Sequence, residues 1–321
     1  MNKTVISAGI VVASIAFGTS AIAQTKPTVP VIVKDMTSPY WQTVLAGARK
    51  AGQDLGIDIV ELGAQSDSDV SSQISMLEKA VASNPTAIVI APTQFAALGK
   101  SIDEAAKKVK IIGLESSADT KSMTSLLKTD NANAGRIAAD ALAAAITKSY
   151  ADTEGEVAII TSMPGVTSLE QREKGFKEVV VAKYGALDIV ADEVADGKSS
   201  TILGMMKDLI AKNRDLRGVF VSDPIAAHAV VQAITEKQSD DLINVVAVGS
   251  DDSLVRLLQE DAIAGLVVED PFRMGYDGVK TALAASKGEQ VAAQVDTGAT
   301  LITKSNLTSA RAQELLKSNV K

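Results

Sequence analysis

The sequence predicts an α/β protein made of two similar halves, each a parallel sheet covered by helices on both faces. Short runs rich in Val and Ile alternate with longer helical patterns from residue 26 onward. The runs are apolar throughout, as in Ile88-Val89-Ile90, which is typical of strands buried on both faces. The chain has 321 residues, about twice the length of an ordinary domain.

The first half contains four strand-like runs, with a helical pattern after each of the first three. Parallel strands need a crossover of a dozen or more residues, usually a helix, and this alternation supplies one each time. The predicted strands are 29–33, 57–62, 87–91 and 109–113, and the predicted helices are 44–55, 70–82 and 96–106.

The second half repeats the pattern after a junction near Thr129-Asp130-Asn131. A short strand around Leu126–Leu127 precedes this junction, and a helix at 134–146 follows it. No run of Pro, Gly and Ser marks the junction, so we expect short ordered crossovers and not a loose tether. The predicted strands are 157–160, 187–190, 219–221, 245–248 and 264–268, with helices centred near Gly175, Met206, Ala229, Leu257 and Val279.

The end of the chain predicts one more strand and one more helix. The strand begins near Leu301, and the helix spans 310–316. Ser305 and Asn306 are the predicted capping residues, because their side chains accept hydrogen bonds from the free N–H groups of a helix start.

Composition excludes several classes of function. Asp and Glu number 39 against 32 Lys and Arg, a formal net charge of −7, and no basic block is present, which argues against nucleic acid as a partner. There is no Cys and a single His, His228, so thiolate catalysis, cysteine-based metal sites and multi-histidine metal sites are excluded. We predict no catalytic residue, no cofactor and no metal.

The first 23 residues predict a secretory signal peptide. A basic start is followed by an uncharged apolar stretch, Val5–Phe17, and by Ala21-Ile22-Ala23, a small-x-small cleavage site. A membrane anchor is disfavoured because Gly18-Thr19-Ser20 breaks the apolar stretch before it reaches spanning length. We therefore expect export to a bacterial periplasm and a mature chain that begins near Gln24.

Aromatic residues follow the first predicted strand, in the run Ser38-Pro39-Tyr40-Trp41. Ligands of open α/β sheets bind beyond the carboxyl ends of the strands, and aromatic residues make up only 3% of this chain. A flat ring suits the C–H face of a sugar. Adjacent residues on a helix point about 100° apart, so we expect one of the two rings to be buried for packing.

Charged residues recur at the other strand ends. Carboxylates accept two hydroxyl hydrogens each, which suits a polyhydroxylated ligand, although Asp223 and Asp251 could equally cap the helices that follow them. A guanidinium near the start of a helix can fork onto ring and hydroxyl oxygens, although a surface position for Arg172 is the alternative. The charged residues at these positions are Glu115, Arg172, Asp223, Asp251 and Glu269.

The ordered set of these motifs resembles the ribose-type (type I) periplasmic sugar-binding proteins of ABC importers, over about residues 28 to 305. The motifs are Ser38-Pro39-Tyr40-Trp41, Ala91-Pro92-Thr93, Leu114-Glu115, Thr167-Ser168 with Arg172 and Gly175-Phe176, Val219-Phe220 before Asp223, and Val248-Gly249-Ser250-Asp251. The resemblance implies two doubly wound parallel-sheet domains joined by three hinge crossovers. The expected lobes are 24–129 plus 271–297 and 130–270 plus 298–321.

The resemblance also implies where the ligand binds. Hinges would lie near Thr129–Asp130, Glu269–Pro271 and Asp296–Ala299. Gln94 and Ser116, which follow the third and fourth strands, complete the expected contacts. The full set of expected ligand-binding residues is Ser38, Tyr40, Trp41, Gln94, Glu115, Ser116, Arg172, Asp223, Asp251 and Glu269.

The chain departs from the pentose binders of this family, which commonly have an Asp-Arg pair where Glu115-Ser116 stands and amides at the positions of Asp223 and Glu269. With Asp251, four carboxylates then face Arg172 alone, a surplus of three negative charges. Like charges this close raise carboxyl pKa values unless a cation is supplied. Lys34 or Lys198 could supply it; otherwise the ligand is cationic. The same departures disfavour a plain pentose.

The leading functional hypothesis is capture of a small sugar or sugar alcohol between two closing lobes, for delivery to an ABC permease. A binder of an amino sugar or other cationic solute is the first alternative. A secreted glycoside hydrolase is the second, since paired acids such as Asp223 and Asp251 can serve that chemistry. A sugar-responsive repressor would need an N-terminal DNA-binding helix, where we predict a signal peptide in this chain. We expect a monomer, with a chemoreceptor as a further possible partner.

Overall fold

A computed structural model describes residues 26–65, 69–239 and 242–317 of the chain. It contains two six-stranded sheets, and the chain passes from the first sheet to the second and back. The predicted signal peptide, residues 1–23, lies outside the described residues. Within these ranges no helix is both long enough and apolar enough to cross a membrane.

The first lobe begins with three strand–helix alternations, which are followed by two further strands. Val and Ile dominate the first strand, whose Val29–Val33 segment is buried, and a Pro at the first helical position favours the start of the helix after it. The elements are β1 (Thr28–Asp35), α1 (Pro39–Leu55), β2 (Asp58–Ala64), α2 (Val70–Ala82), β3 (Ile88–Ile90), α3 (Phe95–Ala106), β4 (Ile111–Leu114) and β5 (Ser125–Lys128).

The second lobe follows with the same alternation. Its elements are α4 (Asn131–Tyr150), β6 (Gly155–Thr161), α5 (Thr167–Lys183), β7 (Leu187–Val194), α6 (Ser199–Lys212), β8 (Leu216–Val221), α7 (Pro224–Glu236), β9 (Asn244–Val248), α8 (Asp252–Gln259) and β10 (Gly265–Glu269). The chain then returns to the first lobe through α9 (Pro271–Ser286) and β11 (Gln294–Asp296), and ends in the second lobe with β12 (Ala299–Ile302) and α10 (Ala310–Lys317).

The two sheets have the same strand order and differ in the direction of the last strand. The strand orders are β2-β1-β3-β4-β5-β11 and β7-β6-β8-β9-β10-β12. All pairs are parallel except β10 with β12. In both sheets the order reverses beside the first strand of the lobe, and such a switch point opens a crevice at the carboxyl ends of the strands. The predicted fold class, two doubly wound domains joined by three crossovers, is confirmed.

Apolar clusters cover both faces of each sheet. In the first lobe, α1 and α9 cover one face and α2 and α3 the other. In the second lobe, α4 and α5 cover one face, and α6, α7, α8 and α10 the other. All residues of β3 and β4 are buried, which accounts for the unbroken apolar runs in the sequence.

Three crossovers connect the lobes. Side-chain hydrogen bonds and an ion pair link these crossovers to each other and to the adjoining helices. The Asp296 carboxylate accepts hydrogen bonds from the backbone N–H groups of Asp130 and Gly298, at 2.9 and 2.8 Å, which joins two crossovers. In the third, buried Asp270 caps α9 and pairs with Arg311 of α10 at 2.5 Å. All three hinge segments are therefore short and ordered.

The structure corrects three local predictions. The first helix begins at Pro39, not at residue 44, and the short exposed strand β11 was not predicted because only its pairing with β5 defines it. The predicted cap of the last helix was wrong: Ser309 accepts the hydrogen bond from the N–H of Ala312 at 3.2 Å. Asn306 instead accepts one from the N–H of Thr303, in a turn before the helix.

Candidate functional site

Two cavities lie between the lobes, at the carboxyl ends of the strands. The first, of about 650 Å³, is lined by Ser38–Tyr40 of the first lobe and by Arg172, Asp251 and Glu269 of the second, among others. The second, of about 590 Å³, is lined by Lys34, Thr93, Phe95, Glu115 and Ser116 of the first lobe and by residues 165–168 and Gln171, at the start of α5, in the second lobe, among others. Because both lobes line both cavities, a molecule bound there contacts both.

Arg172 is a buried charged residue of the cleft that is fixed by three partners. It is 7% exposed, and its guanidinium donates three hydrogen bonds. Nε donates to Asn131 Oδ1 at 2.7 Å, one terminal nitrogen to the carbonyl oxygen of Ser222 at 2.9 Å, and the other to Glu269 Oε1 at 2.9 Å. These partners lie at the start of α4, just after β8 and at the end of β10. Arg172 therefore fixes the wall of the first cavity and is not a solvated surface residue.

Lys34 and Glu115 form the corresponding charged pair of the first lobe. Lys34 Nζ lies 2.6 Å from Glu115 Oε2 and 2.7 Å from Ser116 Oγ, and it lies 5.5 Å from the ring centroid of Trp41. Glu115 has a left-handed backbone, with φ of 58°. That conformation costs a residue other than glycine about 1–2 kcal/mol. Strain of this kind persists where surrounding contacts fix it, which is common at binding sites.

Of the two adjacent aromatic rings, Trp41 is the buried one. It is 4% exposed and packs in the apolar cluster beneath α1. The Tyr40 ring meets it edge-on at 5.0 Å and lines the first cavity. The phenol of Tyr40 lies 3.9 Å from Met274 Sδ. Tyr40 is thus the ring that is available to a ligand in this structure.

Asp223 and Asp251 both cap helices. Asp223 is 7% exposed; its carboxylate accepts hydrogen bonds from the N–H groups of Ala226 and Ser162, each at 3.1 Å. Asp251 accepts from the N–H of Leu254 at 3.0 Å, and its second oxygen lies 3.1 Å from Nε2 of His228. Asp251 lines the first cavity, whereas the carboxylate of Asp223 is already used within the lobe.

Charges in the cleft are balanced, which corrects the predicted surplus of acids. Glu115 and Glu269 each have a cationic partner, Lys34 and Arg172. Lys198 does not supply a charge here, because it pairs with Asp196 at 2.7 Å. The charged residues that line the two cavities are the cations Lys34, Lys128, Arg172 and Arg256 and the anions Glu115, Asp251, Asp252 and Glu269.

The remaining expected residues are placed differently. Ser38 lines the first cavity, and its side chain makes no capping hydrogen bond to α1. Gln94 is exposed and lines neither cavity, whereas the next residue, Phe95, is 55% exposed and lines the second. Phe95 was not among the predicted site residues. It follows the end of the third strand, just as Tyr40 follows the end of the first, so the same pattern would have predicted it.

Substituting Tyr40 by Phe should make the protein less sensitive to alkali. Burial, followed by the charges of Glu269 and Glu115, raises the pKa of Tyr40 well above 10.0. The folded protein thus holds this proton more tightly than the unfolded chain does, and the resulting stability is complete below pH 10 and is lost above it. Above pH 10, the free energy of unfolding should fall more steeply in the wild type than in Y40F, by up to about 1.4 kcal/mol per pH unit. Urea unfolding of both proteins between pH 8 and 11 measures this, and parallel curves would contradict it.

A two-lobed α/β fold with three ordered crossovers and a polar cleft lined by both lobes defines a solute-binding protein. Residues 29–290 match the periplasmic binding protein domain family, and the chain belongs to this family. The resemblance to the type I sugar-binding proteins of ABC importers is confirmed by the relatives.

Three relatives illustrate the similarity. A carbohydrate transporter solute-binding protein from Agrobacterium radiobacter, solved in complex with D-arabinose, is 56% identical, with a TM-score of 0.77 over 92% of this chain and 100% of that one. A solute-binding protein from Agrobacterium vitis bound to α-D-tagatopyranose is 27% identical, with a TM-score of 0.76 over 91% and 99%. The ribose import binding protein RbsB of Haemophilus influenzae is 24% identical over 296 residues, 92% of this chain and 97% of that protein.

Proposed function

We propose that this chain is the solute-binding component of an ABC importer and that it captures one neutral monosaccharide or sugar alcohol between its lobes. The charge balance of the cleft carries this proposal. A cationic ligand needs a surplus of carboxylates, whereas the four anions that line the cavities are matched by four cations of the protein. Glu115 and Glu269 each pair directly with one of these cations, at 2.6 and 2.9 Å. Groups paired in this way still accept and donate hydrogen bonds to hydroxyl groups.

Closure of the lobes is the proposed mechanism of capture. A sugar that touches Tyr40 of the first lobe and Arg172 of the second makes more contacts when the lobes approach, so its differential contacts favour the closed state. Sheet membership supports lobes of 24–129 plus 271–297 and 130–270 plus 298–321. Three short crossovers allow such a motion without a loose linker.

The sugars named for the relatives indicate the chemical class of the ligand proposed for this chain. The D-arabinose, tagatose and ribose named for them are all neutral. The expectation that a plain pentose is disfavoured depended on the surplus of acids and on the missing Arg beside Glu115. The cleft has no such surplus, and Lys34 supplies a cation at Glu115. Pentoses therefore belong in the candidate class. The proposed ligand-binding set consists of the expected residues that line the two cavities, with Lys34 added: Ser38, Tyr40, Glu115, Ser116, Arg172, Asp251 and Glu269. Trp41, Gln94 and Asp223 line neither cavity and are left out of this set.

Location and partners follow from the family and remain part of the proposal. Residues 1–23 would direct export to the periplasm, where the mature chain, a monomer, meets the permease subunits of the importer. A chemoreceptor would be a second partner for the closed lobes. The chain would carry no enzymatic activity, since its role ends with delivery of the solute.

A thermal-shift panel tests the class of ligand. A ligand at 100 times its Kd stabilises the folded state by about 2.7 kcal/mol, which for a protein of this size raises Tm by about 4 °C. The mature protein should show such a shift with at least one neutral pentose, hexose or polyol, and none with glucosamine or small amines. A shift confined to amines would contradict the proposed ligand class, and hydrolysis of a glycoside would favour the enzyme alternative.

A further inference from the structure

The helices that carry Arg172 and the second-lobe hinge cross at a pair of glycines. If Gly135 of α4 carried a Cβ, that atom would lie 1.9 Å from the carbonyl oxygen of Arg172 in α5. A Cβ on Gly175 of α5 would lie 1.9 Å from the carbonyl oxygen of Ala132 in α4. Contacts below 3.0 Å essentially do not occur for real Cβ atoms, so α4 and α5 can approach this closely only with glycine at both positions.

The first lobe repeats this crossing. A Cβ on Gly47 of α1 would lie 1.9 Å from the carbonyl oxygen of Phe272 in α9, and one on Gly275 of α9 would lie 1.9 Å from that of Val44 in α1. In both crossings each glycine faces the carbonyl of the residue three positions before the partner glycine. Close Cα–H···O contacts of this kind add a small attraction.

Each crossing joins a hinge to a wall of the cleft. Helix α4 begins directly after the first crossover, at Asn131, and α9 begins directly after the crossover at Asp270. Their partners are α5, which carries Arg172, and α1, which carries Tyr40. In the first lobe the link reaches the site directly, because Met274, the neighbour of Gly275, contacts the Tyr40 phenol at 3.9 Å.

We infer that Gly135 and Gly175 are positioning residues of the ligand site and act through Arg172. This inference rests on the proposed function. The oxygen against which Gly135 packs belongs to Arg172 itself, and Asn131, the first residue of the same helix α4, accepts the hydrogen bond from Nε at 2.7 Å. A methyl group at the crossing must push the two helices apart. The bonds of 2.7 and 2.9 Å to Asn131, Ser222 and Glu269 then lengthen or bend, and hydrogen bonds weaken steeply with distorted geometry.

The test substitutes Gly135 by Ala and measures sugar affinity. The probe is whichever of D-arabinose, D-ribose and D-allose binds the wild type most tightly, titrated at a temperature where the variant is folded. We expect at least a tenfold loss of affinity. Gly204→Ala is the matched control, since a Cβ there meets nothing within 4 Å. Met206→Ala, in the fully buried cluster on the opposite face of the sheet, should lower Tm without changing affinity.

A double-mutant cycle separates positioning from general damage. In an Arg172→Lys background, G135A should cause little further loss, because the group on which it acts has already been changed. Wild-type affinity in G135A, or additive losses in the cycle, would overturn the inference. If G135A does not fold, Asn131→Ala takes its place in the same cycle, since it removes the α4 partner of Nε without adding an atom.

Chemical modification of Arg172 in the ligand-free protein tests the inference independently of the proposed function. Butanedione modifies accessible guanidinium groups, and mass spectrometry locates the modified arginine. Arg172 is 7% exposed and should react slowly in the wild type and at least several times faster in G135A. An unchanged rate would overturn the inference. Failure of the wild type to bind any of the three sugars, with the rate increase present, would count against the proposed function alone.

Discussion

Substituting Arg172 by Ala is expected to abolish sugar binding and to lower the free energy of unfolding by about 3–5 kcal/mol. The guanidinium is 7% exposed and holds Asn131, Ser222 and Glu269 together at 2.7 to 2.9 Å. Its removal leaves Glu269 as an unpaired, mostly buried carboxylate and leaves two further acceptors without a donor. Urea unfolding and a sugar titration measure the two effects.

Two control variants separate the effect of losing a positive charge in general from the effect of losing the contacts that Arg172 makes. Arg273 forms an exposed pair with Asp277 at 3.1 Å, so Arg273→Ala should cost no more than about 0.5 kcal/mol and leave binding unchanged. Arg172→Met with Glu269→Met removes both charges of the buried pair and should recover much of the stability but none of the binding. Wild-type affinity in Arg172→Ala would show that Arg172 does not hold the sugar.

Substituting Lys34 by Met is expected to weaken binding of a neutral sugar by about 10- to 100-fold. Lys34 Nζ is held at 2.6 and 2.7 Å by Glu115 and Ser116. In the proposed complex it also donates to a sugar hydroxyl, and a hydrogen bond to a charged group contributes about 1.5–3 kcal/mol. Without this cation the cleft becomes net negative. Selectivity should therefore move toward amino sugars, which a titration with glucosamine measures.

Two comparisons make the Lys34 prediction specific. Lys50 pairs with Asp54 on the exposed face of α1, so Lys50→Met removes a similar charge away from the cleft and should leave affinity unchanged. Lys34→Met with Glu115→Gln restores the charge balance and should reverse the gain in glucosamine affinity. Unchanged selectivity in Lys34→Met would contradict the view that Lys34 neutralises the cleft.

The fold was predictable because its signals are local. The apolar run Ile88–Ile90 is a fully buried strand in the structure, and the helix predicted over 70–82 has those bounds. The three crossovers came from the family resemblance, since no linker composition marks them. The edge strand β11 has one partly buried residue between two exposed ones, so its sequence carries no strand signal of its own.

The positions of the charged residues of the site were predictable from the sequence, but their ion-pair partners were not. Strand ends pointed to Glu115, Arg172 and Glu269, yet the partner of each depends on contacts between distant parts of the chain. Lys34 and Glu115 are 81 positions apart, and Arg172 and Glu269 are 97 apart. A count of the carboxylates at strand ends, without the cations that pair with them, therefore predicted a surplus of negative charge that the structure does not have.

The fluorescence of Trp41 offers the most direct test that the cleft captures a neutral sugar. It is the only tryptophan in the chain, and its buried ring lies 5.5 Å from Nζ of Lys34, which lines the second cavity. Titration of the mature protein with neutral pentoses and hexoses should give a saturable change in emission with at least one of them, and no change with glucosamine or small amines. A response to the amines alone, or a sugar that raises Tm without altering Trp41 emission, would contradict the account.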